Sequence, residues 1–175
     1  RFYNYPEKVT KETKSIVIPD SVKEINSNAF GHMEKLEKVI FPEGLERIGE
    51  EAFFSCRNLK EVIFPKSLRS IESKAFAECT ALTHIVISRT TSSLEIKGED
   101  YLEIEDEAFA DCVRLCNVEM KEGDFETTIL YDQVFENTAF LKELRKKDPL
   151  VILENEVIDG KECQGDLVLP AHVKG

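Results

Sequence analysis

The chain has 175 residues, with 34 Asp and Glu against 23 Lys and Arg, a formal charge of −11 and an apolar content of 42%. So negative a charge excludes a nucleic-acid footprint, which needs clustered cations to displace counterions, and no apolar run approaches the roughly 18 residues of a membrane span. The apolar residues are too many and too periodic for a disordered tail, so the length is spent on a domain with a real core.

Residues 1–15 read as an N-terminal cap or the end of a preceding segment, because the chain opens on Arg1 rather than Met. From Ile16 the sequence repeats itself. Pro19, Pro42 and Pro65 are 23 residues apart, as are Ala29, Ala52 and Ala75 and the Phe after each: Phe30, Phe53 and Phe76. Leu36, Leu59 and Leu82 keep that step, and so do Val39, Val62 and Ile85. A fourth unit carries Ala108, Phe109, Leu115 and Val118 in the same register but 33 residues on, so ten extra residues fall between Ser88 and Tyr101. This insertion, residues 89–100, is rich in Ser, Thr and Gly and reads as a protruding loop. A fifth unit is more degraded, with Phe135 for Phe109 and Leu141 for Leu115; the basic "KELRKKD" closes its strand or turn. The array of about five units therefore covers 16–147. Residues 148–166 read as a β-hairpin spacer turning at Asp159-Gly160, a dipeptide that favours a type I′ turn. In 167–175, "LVLPAHVKG" matches the start of the first unit and reads as a further, truncated repeat.

A 23-residue unit has one apolar face and nothing to bury it against, so the units must stack into a shared core. "LEKVIF" has Leu36, Val39 and Phe41 at the L-x-x-L-x-L spacing of a leucine-rich repeat strand. Val39 and Phe41 then point inward, Lys38 and Ile40 outward, and neighbouring strands pair in parallel about 4.8 Å apart. Pro42 ends the strand because it cannot donate to the ladder. "LERI" returns as a short extended segment with Leu45 and Ile48 inward, and "EEAFFSC" makes a helical turn that drops Phe53 into the centre. One Phe per coil builds an aromatic spine, each neighbour pair worth about 0.5–1.5 kcal/mol beyond area burial. Cys56, Cys79 and Cys112 share one column with Met33 and Thr138, which fits small or soft residues facing the same column in the next coil.

The string I-P-x-x-V/L-x-x-I-x-x-x-A-F-x-x-C-x-x-L-x-x-V, running from Ile16 to about Leu144, resembles the BspA-like (Treponema pallidum-type) leucine-rich repeat family. The resemblance implies an α/β solenoid: a right-handed coil with a parallel β-sheet on its concave side and short helical turns or strands on the convex side. It also implies a bacterial protein carried on the cell surface or secreted, the alternative being the cytoplasm, and binding to host or other cell-surface proteins. The post-strand Pro is missing at Ser88 and Lys121 in the fourth and fifth units.

Catalysis finds no support in the residues. His32, His84 and His172 lie in different units and columns, and the nucleophile, zinc and P-loop motifs are absent. His84 reads as an outward, solvated strand residue. Cys112 and Cys116 are four apart, but no His lies near them to complete a metal site; the five Cys read as mostly small buried thiols. No cofactor or metal is expected, and the chain reads as a non-enzyme. Between Glu95 and Glu126, twelve Asp or Glu face three Lys or Arg. A weak calcium site is conceivable there, but the EF-hand spacing is missing, and the plainer expectation is a field that speeds the encounter with a basic partner.

The candidate recognition surface is the outward face of the parallel sheet. One column reads Val17, Ile40, Ile63, Val86 and then Glu119; the next reads Lys38, Glu61, His84 and Asn117. Four apolar rungs on a solvated surface point to a binding strip, though β-branched side chains also suit exposed strand positions without binding anything. The function expected is protein recognition; a structural spacer between other domains is the alternative. Glycan binding ranks below both, since Tyr3, Tyr5, Tyr101 and Tyr131 are few and scattered.

Overall fold

The computed structural model describes residues 10–87, 101–120 and 128–147, together with the backbone of 151–153 and 156–159. The coils lay their strands into two parallel sheets. Sheet A is β1 (Ser15–Val17), β3 (Lys38–Ile40), β5 (Glu61–Ile63), β7 (His84–Ile87) and β9 (Asn117–Met120), neighbours in that order. Sheet B is β2 (Glu24–Ile25), β4 (Arg47–Ile48), β6 (Ser70–Ile71), β8 (Leu102–Ile104) and β10 (Thr128–Leu130). The pairing keeps the sequence step: Ile16 opposes Val39 and Ile25 opposes Ile48, while across the insertion Ile71 opposes Ile104 and Ile85 opposes Val118. The ten extra residues thus enter between sheets A and B of the fourth coil, and the pairing on either side is undisturbed. Residues 88–100, and with them the loop expected at 89–100, lie outside the described residues.

Alternation along each strand separates core from surface. Ile16, Val39, Val62 and Ile85 are buried, while Val17, Ile40 and Ile63 between them are exposed. Between the sheets the Phe residues form one row. Ring centroids of Phe30–Phe53, Phe53–Phe76, Phe76–Phe109 and Phe109–Phe135 lie 5.1, 5.0, 5.5 and 5.8 Å apart, every pair stacked. The expected spine is therefore present and continuous.

The Ala-Phe segment carrying that spine differs from the helical turn expected of it. Each coil has two non-glycine residues at φ between 53° and 59°, flanking the Ala-Phe pair: Glu51 and Ser55, Lys74 and Glu78, Glu107 and Asp111, and their equivalents in the outer coils. Left-handed backbone costs an L-residue roughly 1–2 kcal/mol. What offsets it is a third ladder between coils. The amides of Glu51, Phe53 and Ser55 donate to the carbonyls of Ser73, Ala75 and Ala77, at 3.1, 2.8 and 2.8 Å. The intervening amides bond back within their own turn, Ala52 to Gly49 and Phe54 to Glu51. A helix would direct all its amides along its own axis and leave nothing for the neighbour.

Two further differences lie toward the C-terminus. Where the fifth unit would add a strand to sheet A, the chain forms α1 (Ala139–Lys147). Its sequence, "AFLKELRKK", lacks the β-branched residues of the other strands and consists of helix formers. Thr138 caps it, its Oγ1 accepting the Leu141 amide at 3.1 Å, and Arg145, Lys146 and Lys147 in the last turn suit the helix dipole. Leu141 is still core, as its alignment with Leu115 requires, and Phe140 sets its edge against Phe135 at 5.3 Å. The helix closes the end of the spine. Beyond it, β11 (Val151–Leu153) and β12 (Glu156–Asp159) pair antiparallel, Leu153 opposite Glu156 and Val151 opposite Asp159. The strands reverse between 153 and 156, not at Asp159-Gly160. The restart at 167–175 lies outside the described residues.

Candidate functional site

The nine residues expected at the recognition surface all lie on the outer face of sheet A. Register puts Lys38, Glu61, His84 and Asn117 in one row across the strands. Val17 pairs with Ile40, and Ile63 with Val86 and then Glu119, in the row beside it. Val17, Ile40 and Ile63 are 64%, 44% and 59% exposed. Val86 is half-buried, so the apolar ladder subsides toward its C-terminal end.

His84 is not the freely solvated residue expected. It is half-buried between two carboxylates, with Nδ1 3.2 Å from Glu61 Oε1 and Nε2 3.0 Å from Glu119 Oε1. The second contact is close but poorly aligned, and Nε2, which is buried, makes no hydrogen bond of good geometry. A neutral imidazole has one N–H to offer these two neighbours; the imidazolium has two. Asn117 Nδ2 also donates to Glu119 Oε1, at 3.3 Å, and so fixes the carboxylate from the other side.

Between β3 and β5 the sheet is partly open. The strands keep the pair Lys38–Glu61 alone, where β1 and β3 or β5 and β7 keep three. The Ile18 amide donates to Ile40 O at 2.9 Å and the Phe64 amide to Val86 O at 3.0 Å, but the equivalent bond from Phe41 to Ile63 is missing among the described residues. The position held by Ile18 and Ile87 in the flanking coils is Phe in both middle ones, and Phe41 and Phe64 stack at this junction with centroids 6.0 Å apart. A cavity of about 540 Å³ lies at this junction, lined by Ile40, Phe41, Ile63 and Phe64 and also by the charged Glu37, Lys38, Glu43, Lys60 and Glu61. Phe41 was legible in sequence as a core residue, but the reduced pairing of β3 with β5 had no signal in the repeat pattern.

The other faces use their polar groups to hold coil to coil. Glu72 accepts the Glu50 amide and pairs with Arg47, which also reaches Glu24. Glu105 accepts both the amide and the hydroxyl of Ser73 at 3.1 Å, and Asp106 accepts the Asp132 amide at 3.1 Å. Lys74 pairs with Glu107, and Asn137 donates to Asp111. Much of the acidic fourth unit is therefore structural. Among the described residues no group of three His, Cys, Asp or Glu is placed to hold a metal ion, and Glu95, Glu99, Asp100, Glu122, Asp124 and Glu126 lie outside them.

Cys56, Cys79 and Cys112 are buried, and each thiol donates to the Phe carbonyl of the coil before it, at 3.2, 3.3 and 3.1 Å. Burial pushes the Cys56 thiol up to about 11. Burial raises the Cys79 thiol as well, with Cys112 beside it adding to the effect. These are packing groups, not nucleophiles, since the thiolate is the reactive form. Cys116 is exposed.

No curated protein matches the chain. Among solved structures it is similar to a leucine-rich repeat protein of Bacteroides ovatus, at 26% identity over 74% of this chain and 36% of that one, with a TM-score of 0.51. It is also similar to a leucine rich cell surface protein of Faecalibacterium prausnitzii (21% identity, 66% and 35% covered, TM-score 0.45) and to the T. pallidum leucine rich repeat protein (16%, 78% and 83%, 0.42). The chain spans about a third of the length of the first two. The repeat region described as "BspA type Leucine rich repeat region (6 copies)" matches it over residues 7–97 and 91–173. Stacked coils, a stepwise 23-residue pairing and this match together make the chain a member of the BspA-type leucine-rich repeat family.

Proposed function

We propose that this segment is a non-catalytic protein-recognition scaffold of a larger bacterial protein, carried on the cell surface or secreted, and that it binds a protein partner through the outer face of sheet A. The observation that carries this reading is the ladder Val17, Ile40, Ile63 and Val86: apolar, outward-facing and serving no packing role within the coil. Leucine-rich repeats are interaction scaffolds as a class, and contiguous exposed apolar surface is what such scaffolds desolvate on binding. The acidic fourth unit adds a field that favours a basic partner and quickens its approach.

The test is capture of extracellular proteins by the chain, followed by binding kinetics with an isolated partner. Ile40→Asp and Ile63→Asp together should leave the circular dichroism and melting temperature unchanged and abolish the interaction. Retained binding by the folded double variant would put the interface on another surface, and capture of no partner by the unaltered chain would leave the spacer role as the better account. Surface or secreted location is tested separately, by protease shaving of intact source cells.

A further inference from the structure

We infer that Glu61, His84 and Glu119 form a proton-operated clasp that fastens β9, the last strand of sheet A, to the strands beside it: tight while both nitrogens of the imidazole are protonated, loosened when only one is. The clasp does not depend on the recognition reading, and its test uses no partner.

Two features leave β9 weakly held. It ends the order β1-β3-β5-β7-β9, so among the described residues β7 is the only strand it pairs with. Its inward residues, Val118 and Met120, are half-buried, whereas Ile85 and Ile87 opposite them are buried, as are Ile16 and Ile18 at the other edge of the sheet. An edge strand with so little core behind it depends on what its outward side chains grip across the strands. Those side chains are Asn117 and Glu119. Asn117 lies directly opposite His84; Glu119 lies two residues on, opposite Val86, and its carboxylate reaches back along the diagonal to Nε2 at 3.0 Å. On the other side Glu61 lies directly opposite His84, its carboxylate 3.2 Å from Nδ1.

One ring thus spans three strands, and its charge decides what it can hold. With both nitrogens protonated, each N–H meets a carboxylate, and such charge-assisted contacts are roughly twice as strong as neutral ones. With one proton, a lone pair is set against one of the two carboxylates. If Nδ1 keeps the proton, Glu119 meets that lone pair; if Nε2 keeps it, Glu119 meets a neutral, poorly aligned donor. Either tautomer weakens the tie to β9, and Glu119, whose side chain is 56% exposed, has solvent to move into. No neighbour takes over the task. Among the described residues, the charged groups that face the ring from the packed strands are Glu61 on β5 and Glu119 on β9. Lys38 stands one strand further away on β3, Lys60 is paired to Glu37, and Cys116 beside β9 turns its thiol to Thr83 O. Because β5 has a strand on either side and β9 has not, the change is felt at β9.

The experiment measures amide hydrogen exchange by NMR in the full 175-residue chain at about pH 5.5 and about pH 7.5, across the interval in which imidazoles change charge, with rates corrected for the intrinsic pH dependence of exchange. The Asn117 amide, which donates to Thr83 O at 3.1 Å, and the other protected amides of β9 are the reporters. Their protection should fall about two- to fivefold from the lower pH to the higher, the scale of an exposed ion pair. Gly49 beside β4, whose amide donates to Ile25 O at 2.8 Å, is the reference and should hold within about 1.5-fold. His84→Gln and, independently, Glu119→Gln should each remove the pH dependence at β9 and leave the circular dichroism unchanged. Equal protection of β9 at the two pH values, a fall of the same size at Gly49, or a fall at β9 that survives either variant would each overturn the clasp.

Discussion

Phe76 is the most demanding place to test the stacked-coil reading. Its ring is fully buried, parallel to Phe53 at 5.0 Å on one side and to Phe109 at 5.5 Å on the other, with the edge of Phe64 at 5.5 Å. Truncating a buried Phe to Ala costs about 3–5 kcal/mol through lost transfer energy and the cavity left behind. Two stacked neighbours and rigid ladders on every side, which limit collapse into the gap, put Phe76→Ala at the upper end, about 4–5 kcal/mol. Phe76→Leu keeps most of the volume and loses the two stacked pairs, about 1–3 kcal/mol. Urea unfolding followed by circular dichroism measures both. The coil geometry adds a sharper requirement. Phe53 touches Phe76 and Phe30 does not, so the Phe53/Phe76 double variant should depart from additivity by about 0.5–1.5 kcal/mol, while Phe30/Phe76 should add within about 0.5 kcal/mol. A Phe76→Ala cost below about 2 kcal/mol, or coupling stronger to Phe30 than to Phe53, would refute a spine of nearest-neighbour rings.

The buried thiols predict a limit at alkaline pH. Cys56 is held protonated to about 11 when folded, against 9.0 for an unperturbed thiol, so the unfolded chain loses this proton first as pH rises. The stabilisation is whole below about pH 9 and is lost by about pH 11, some 3 kcal/mol from Cys56. Urea midpoints should fall over that interval, and less steeply in Cys56→Ala. In a Cys163→Ser background, a thiol reagent at neutral pH should label Cys116 at once and the other three at the rate of unfolding; fast labelling of all four would contradict their burial. For the acidic unit, Glu105→Ala strands the Ser73 amide and should cost about 1–3 kcal/mol, whereas Asp111→Asn should change stability by less than about 0.5 kcal/mol. Equal effects at the two positions would mean that Glu105 does not join the coils.

Sequence spacing revealed the coil because the core is a column phenomenon. Phe30, Phe53, Phe76 and Phe109 recur at fixed offsets because each ring needs the next, and a parallel ladder transmits any change in offset to every column at once. The outward row was legible for the same reason: once Val39 is inward, Ile40 is outward. What escaped depended on interactions between unlike residues. The Ala-Phe turn has a helical appearance in sequence, yet its amides alternate between their own turn and the next coil, and no residue type announces left-handed backbone at Glu51 or Lys74. Leu141 and Leu144 kept the column but not the β-branching, and local propensity then chose a helix. His84 was read alone, although the two carboxylates that enclose it stand 23 residues before it and 35 after it. The thinned pairing of β3 with β5 belongs to one junction alone, and a consensus of columns averages it away.

The distribution of polar groups favours the outer face of sheet A, rather than the more charged side, as the proposed recognition surface. On sheet B and the Ala-Phe wall, Glu72, Glu105 and Asp106 are already committed to amides of adjacent coils, and Lys74, Glu107, Arg57 and Glu78 to one another. A partner that engaged these groups would first have to break bonds that hold the solenoid, and it would gain little from exposed ion pairs worth about 0–1 kcal/mol each. Their net negative field still reaches a Debye length, about 8–10 Å, into solvent, so it raises the encounter rate without making contacts. The ladder on sheet A is the converse. Ile40 and Ile63 give up nothing internal when covered, and each buried branched side chain contributes about 1.5–3 kcal/mol at full burial. On the proposed function, long-range attraction and short-range adhesion belong to different faces, and added salt should slow association of a partner with this chain far more than it speeds dissociation.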